Sequence, residues 1–316
     1  MKTYFNFQLT GKKLFPLWAI YYLLVIVPYV ILILTTPIRH QDENNFVAVV
    51  IAICFLLLIV AIALSWELYF IKTILQHTQQ NDTNLRCDYS AGEFMGIVGI
   101  GLLLTIVTIG IYAPWFIRNI QRYLIDNTSY KENRFAFKGK GGKLFVIILL
   151  SLFIPMIVVG IFTTKVFGIV IKNEPIFIQG IYNAIVYIIM IPYIYYIYKW
   201  SVDVTYKGYH FKWDTKFWPS IGKIAYELIL SMITFGLYAP LAYVRLYKYF
   251  IEKTKSKTEG TPKIQFNYDI DQQKDYLFIL VQTLLTVITL GIYFPWSFCK
   301  VSQRILEKTS MEKMDE

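Results

Sequence analysis

Thr108-Ile-Gly-Ile-Tyr-Ala-Pro114-Trp115, Thr234-Phe-Gly-Leu-Tyr-Ala-Pro240-Leu241 and Thr289-Leu-Gly-Ile-Tyr-Phe-Pro295-Trp296 superimpose without a gap, and each lies inside a run of uncharged residues. The likeness continues past the proline. Four or five residues on stands a base, Arg118, Arg245 or Lys300; eight or nine on stands a second, Arg122, Lys248 or Arg304. Farther on come an acid and a threonine: Asp126 and Thr128, Glu252 and Thr254, Glu307 and Thr309. Self-similarity at fixed offsets marks a repeated structural unit. In each unit Gly110, Gly236 or Gly291 relaxes the backbone, and the proline four residues later removes a donor and breaks helix continuity. The spacing predicts a helical hairpin that turns at Gly110, Tyr112 and Pro114, at Gly236, Tyr238 and Pro240, and at Gly291, Tyr293 and Pro295.

The runs around these units decide the solvent. No charge occurs in 14–38, 44–66, 94–117, 144–164, 175–198, 228–244 or 276–299. All but 228–244, cut short by Glu227, reach the roughly 20 residues that a bilayer-spanning helix needs. With 56% hydrophobic and only 16% charged residues, the chain is too apolar for a soluble domain of its length. The first run is too long for a signal-peptide core and is expected to stay as an anchor. Cys54, Cys87 and Cys299 are far apart, as are His40, His77 and His210, so no metal or cofactor site is expected.

Short alternating segments precede the apolar runs: Phe5-Asn-Phe7, Leu85-Arg-Cys87, Phe135-Ala-Phe137, His210 to Trp213 and Ile264-Gln-Phe266. Period-2 alternation bounded by Gly, Asn, Asp and Thr reads as strand. The chain therefore parses into one membrane domain of five strand-plus-insert modules, 1–80, 81–131, 132–203, 204–260 and 261–316. Two inserts are helix pairs (14–36 with 46–71, and 144–164 with 176–198), and three are the hairpins. The fold class expected is an all-α polytopic membrane protein: four transmembrane helices, three re-entrant or interfacial hairpins, and short cytoplasmic strands.

Charge chooses the topology. If all seven runs crossed the membrane, the 31 Lys and Arg would divide almost evenly between the two sides. If the three hairpins enter and return on one side, only Arg39, Lys165 and Lys172 lie opposite to the rest. The excess of bases on cytoplasmic loops favours the second arrangement, with both termini in the cytoplasm. A net charge of +10 then reflects loops at an anionic membrane surface rather than nucleic-acid binding.

Arg118, Arg122, Arg245, Lys248, Lys300 and Arg304 are the candidate anion- or lipid-binding residues, set against the plainer reading of interfacial anchors whose side chains snorkel. Glu227, four residues inside its apolar stretch, is the candidate intramembrane acid, with Arg245 or Lys248 as partner. Gly92 and Gly96, with Gly99 and Gly101, read as small surfaces for close helix packing. Acids and histidines are dispersed and no nucleophile faces a base, so an enzyme is not expected.

The Thr-Leu-Gly-Ile-Tyr-x-Pro-Trp motif with a following Arg-Tyr, preceded elsewhere by Phe-x-Phe-x-Gly, resembles the bacterial YjgN-like family of inner-membrane proteins (domain of unknown function 898). Residues 108–123, 135–145 and 289–304 carry the likeness. The resemblance implies a multi-pass protein of the bacterial cytoplasmic membrane and implies no activity. Two functions remain: passage or handling of a small anionic solute or lipid between the hairpins, or a structural platform that binds a protein partner or a second copy of the chain.

Overall fold

The computed structural model describes residues 2–35, 46–167, 176–256 and 263–314. The far loops expected at 37–45 and 165–174 fall largely outside these, as do the side chains of Cys54 and Lys165. Strand β1 (Lys2–Phe7) leads into a first insert of α1 (Gly11–Tyr21), a π turn (Tyr22–Ile26), α2 (Val27–Thr35) and α3 (Phe46–Gln76). The chain returns as β2 (Thr78–Gln80) and reverses into β3 (Thr83–Cys87). The plan then recurs. Helices α4 (Ala91–Val107) and α5 (Ala113–Asp126) precede β4 (Thr128–Tyr130) and β5 (Asn133–Phe137). Helix α6 (Gly141–Ile148), a second π turn (Leu149–Phe153), α7 (Ile154–Phe167) and α8 (Ile176–Ser201) precede β6 (Val204–Tyr206) and β7 (Tyr209–Trp213). Helices α9 (Phe217–Ile233) and α10 (Ala239–Glu252) precede β8 (Thr254–Ser256) and β9 (Lys263–Tyr268). Last come α11 (Gln272–Ile288), α12 (Phe294–Glu307) and β10 (Thr309–Met314).

These strands overturn the all-α expectation. Each pairs antiparallel with its sequence neighbours, and β10 pairs back onto β1, so ten strands close a barrel. Half of them were invisible in the sequence. Strands β2, β4, β6 and β8 have three residues each, too short for alternation to register, and directly follow helices. Closure removes every sheet edge, which lets such short strands persist.

An up-and-down barrel sends its odd turns to one end and its even turns to the other. Here all five helical inserts leave one end, and the tight turns after β2, β4 and β6 occupy the other. Along β1, β3, β5 and β7 the exposed side chains are Lys2, Tyr4, Asn6, Asn84, Arg86, Arg134 and Lys212, with Phe5, Leu85, Phe135 and Phe211 facing the other way. Rings two strands apart meet across that second face: Phe5 lies 6.4 Å from Phe266, and Phe211 lies 5.9 Å from Phe266. A polar exterior around an apolar interior is the reverse of a barrel immersed in lipid.

Where the barrel meets the helices its inner face ends in a ring of alternating sizes. Phe7, Cys87, Phe137, Trp213 and Tyr268 come from odd strands and pair with Thr78, Thr128, Val204, Thr254 and Thr309. All but Val204 are buried. Each threonine follows a helix and donates its hydroxyl to a carbonyl four residues back, as Thr78 does to Ile74 (2.9 Å). Above the ring, five apolar clusters fill the junctions between neighbouring inserts, centred on Leu14, Phe94, Leu144, Ile224 and Ile279.

The inserts differ in height. At 1.5 Å per residue the continuous helix from Gly11 to Thr35 is about 37 Å long and that from Gly141 to Phe167 about 40 Å, whereas the 17-residue α4, α9 and α11 reach only about 25 Å. Among the described residues three stretches are long and apolar enough to cross a membrane: Gly11–Ile31, Phe55–Gln76 and Gly141–Ile161. The fourth span expected is α8, part of whose side chains lie outside the described residues.

Candidate functional site

The three short hairpins turn identically. Thr108, Thr234 and Thr289 donate to the carbonyl four residues back and accept the amide of Tyr112, Tyr238 and Tyr293 at 3.0 Å. Between them Gly110, Gly236 and Gly291 have φ of +87°, +85° and +88°. Pro114, Pro240 and Pro295 do not break the helix, as the sequence suggested. They sit in the first turn of the second arm, where a missing amide costs nothing.

The residue before each glycine is also left-handed: Ile109, Phe235 and Leu290, with φ near +50°. These side chains are 93%, 97% and 79% exposed. Large apolar residues in this conformation are unusual, since Asn, Asp and Gly tolerate it best. At the opposite end of the molecule the same conformation is taken by Asn81, Asp82, Lys131 and Lys207. One backbone geometry thus carries polar residues at the barrel end and bare hydrocarbon at the hairpin end.

Below each tip the signature tyrosine is the centre of a polar relay. Tyr238 donates to Glu227 (2.8 Å) and accepts from Arg245 (2.7 Å). Tyr293 donates to Gln282 (3.1 Å) and accepts from Lys300 (2.9 Å). Tyr112 accepts from Asn119 (3.4 Å) and, among the described residues, has no acceptor for its own proton. The residue eleven before the tyrosine explains the difference. It is Glu227 or Gln282 in two hairpins and Gly101 in the first, where a Cβ would fall inside the ring of Phe116. Facing Glu227 and Gln282 are instead Ala242 and Ser297, so the volume lost on one arm is regained on the other.

The candidate bases do not form one group. Arg122 pairs with Asp126 (3.1 Å) and Lys248 with Glu252 (3.5 Å), each one turn along a solvated helix. Such exposed pairs contribute little, and we expect Arg122→Gln or Lys248→Gln to change stability by less than about 0.5 kcal/mol in thermal unfolding. Arg304 is not their counterpart; Gln303 is, bonding Glu307 at 2.9 Å. Arg118 corresponds to Val244 and Cys299, and it donates to the Gly139 carbonyl (3.4 Å) and to Asn119 (3.1 Å). Glu227 is fully buried; its nearest base is Lys223 (2.6 Å), with Arg245 at 3.9 Å, while the other expected partner, Lys248, faces elsewhere.

Two features escaped the sequence reading. Asp275, in the first turn of α11, is buried and receives Arg304 (2.8 Å), Lys308 (2.5 Å), Tyr268 (3.1 Å) and the amide of Asp271 (3.0 Å). The other is a cleft of about 650 Å³ between α4 and α5, lined among others by Glu93, Gly96, Ile100, Tyr112, Arg118 and Arg122. Gly96 and Gly99 pack against nothing, contrary to the close-approach reading; of that cluster only Gly101 meets a neighbour.

The family model described as "Bacterial protein of unknown function (DUF898)" matches residues 90–259. A second, "Family of unknown function (DUF6693)", matches residues 210–312. The chain is 41% identical over 59 residues to inner membrane protein YjgN of Salmonella typhimurium, covering 19% of this chain and 15% of that protein. With inner membrane protein YjgN of Escherichia coli it shares 41% identity over 66 residues, covering 21% of this chain and 17% of the relative. No solved structure matches.

Proposed function

We propose, since this chain belongs to the DUF898 family of bacterial proteins of unknown function, that it is a multi-pass inner-membrane protein that handles phospholipid at the cytoplasmic leaflet. An inner-membrane location has the support of the relatives' names and of three helices able to cross a bilayer. In this reading the barrel and both termini lie in the cytoplasm. The tall helix pairs cross, while the three short hairpins enter from the barrel side and stop about 12–15 Å short of the tall ones at 1.5 Å per residue. Above each tip the protein leaves a notch for lipid to fill.

The observation that carries this is the contrast between left-handed Ile109, Phe235 and Leu290 at one end and Asn81, Asp82 and Lys131 at the other. Almost fully exposed hydrocarbon at three tips is costly in water and favourable in lipid, at roughly 25 cal/mol per Å². The buried ring of Phe7, Phe137, Trp213 and Tyr268 argues against a solute path along the barrel axis. Passage at the lipid-facing periphery is the route the geometry favours.

Two measurements test it. Cysteines at Asn81 and Lys131 should react with a charged maleimide only from the cytoplasmic side. Cysteines at Ile109 and Phe235 should resist it from both sides, yet carry labels quenched by bilayer-embedded nitroxide lipid. In liposomes holding a fluorescent phospholipid, the protein should let external dithionite bleach more than the outer-leaflet half. Bleaching that stops at one half sinks lipid passage and leaves a membrane-anchored platform, to which the rigid, polar-faced barrel is suited.

A further inference from the structure

We infer that the cleft between α4 and α5 holds one aminophospholipid of the cytoplasmic leaflet, its phosphate bonded by Tyr112 and Arg118. This rests on the reading that the hairpins lie in the bilayer, and it goes beyond it in naming a site and a headgroup.

The first hairpin differs from the other two in what its tyrosine faces. Tyr238 and Tyr293 spend their protons on Glu227 and Gln282, and a lysine, Lys223, further fills the second hairpin. In the first hairpin the matching positions are Ile97 and Gly101, and among the described residues no oxygen replaces the missing acceptor. The Tyr112 hydroxyl therefore lines an open cleft with a proton to give. Arg118 lines the same cleft, and Asn119 brings the two heads together by accepting from Arg118 (3.1 Å) and donating to Tyr112 (3.4 Å). The Arg118 Nε and one terminal nitrogen are engaged by Gly139 and Asn119, and its remaining donors are available to an external oxygen. A phosphate diester offers oxygens of the right kind, and Arg binds it with more than one bond.

The rest of the lining selects the molecule. Between the level of Glu93 and that of Gly101 the wall is Gly96, Ile97 and Ile100, smooth and uncharged; farther toward the tip α4 exposes Leu103, Ile106 and Val107 to acyl chains. Toward the barrel, where the cytoplasmic interface falls, Glu93, Arg122 and Asp126 also line the cleft. Two acids balance two bases, and Arg122 is already tied to Asp126. Glu93 forms no ion pair among the described residues. A zwitterionic headgroup answers this pattern, with phosphate toward Arg118 and ammonium toward Glu93. A purely anionic headgroup leaves Glu93 opposing it.

The test is native mass spectrometry of the purified full-length protein loaded with phosphatidylethanolamine, phosphatidylglycerol or inorganic phosphate. We expect one tightly retained phosphatidylethanolamine, weaker phosphatidylglycerol and no inorganic phosphate. At Gly96 an added Cβ meets no protein atom within 4 Å, so Gly96→Leu should be accommodated, project into the cleft and abolish retention. Gly99→Leu, equally free of neighbours but outside the lining, should leave it intact. Tyr112→Phe and Arg118→Gln should each weaken retention about tenfold, with the thermal midpoint unchanged for Tyr112→Phe. Retention undiminished in Gly96→Leu, lost equally in Gly99→Leu, or equal for phosphatidylglycerol overturns the assignment. Lipid flux without a retained lipid removes this site but not lipid passage, and a retained lipid without flux does the reverse.

Discussion

Gly101→Gln should be among the most damaging single substitutions in the chain, and Phe116→Ser should repair it. The glutamine merely copies Gln282, which occupies the same place in the last hairpin. It fails in the first because the Phe116 ring fills the volume that a Cβ at Gly101 needs. Overpacking a filled site costs about 1–3 kcal/mol, and a large buried amide on a rigid hairpin belongs at the upper end. Phe116→Ser alone deletes a buried ring and should cost about 3–5 kcal/mol. Together the two changes recreate the pair Gln282 and Ser297, in which Ser297 reaches the Gln282 carbonyl at 3.2 Å and Tyr293 donates to the amide oxygen. The double variant should return to within about 1 kcal/mol of wild type, a coupling larger than distant sites show. Thermal unfolding of the detergent-solubilised protein measures all four corners of the cycle. Additive losses would mean that the hairpin interiors are not complementary in the way described.

Asp275→Asn should destabilise by about 2–3 kcal/mol at neutral pH, at or just below the roughly 3–5 kcal/mol that breaking a fully buried ion pair costs, because Arg304 and Lys308 keep some contact with water. The carboxylate ties three elements together: β9 through Tyr268, α11 through its own first turn, and α12 through Arg304 and Lys308. Its protonation gives the variant a signature. Desolvation pushes the Asp275 carboxyl up, but hydrogen bonds from Lys308 and Arg304 more than offset this and hold it below its ordinary 3.8. A carboxyl depressed on folding contributes stability in full above its unfolded value, and that stability is lost as pH falls through the folded value. Wild type should therefore lose part of its margin as pH drops below 3.8, and Asp275→Asn, which never had that part, should lose less. Parallel midpoint-against-pH curves for the two proteins between pH 7 and pH 3 would refute the assignment.

The hairpins were legible because glycine, tyrosine and proline recur at fixed spacing inside apolar runs. The barrel was not. Three-residue strands such as Thr128–Tyr130 carry no period, and closure depends on pairing Lys2 with Glu312, which no local pattern announces. The site was half legible for a geometric reason. Counting bases from the proline merges helix faces that lie about 100° apart per residue. That is how Arg118 was grouped with Arg245 and Lys300, although Asn119 is the residue that joins them in reaching the tyrosine hydroxyl. Glu227 stood out as a lone acid in an apolar run. Asp275 did not, because it opens its helix in sequence and its basic partners lie 29 and 33 positions later. The Gly101–Phe116 exchange could have been found by comparing the three copies eleven residues before the tyrosine and two after the proline.

The seam between β1 and β10 gives the molecule a history as well as a shape. During synthesis each insert can be handed to the bilayer as it emerges, but the ring stays unfinished until the final strand leaves the ribosome. Joining two ends so far apart is entropically expensive for a free chain, though the expense grows only logarithmically with length. By that stage all five inserts already tether their strands to a single plane, so the final strand searches a surface for its partner rather than a volume.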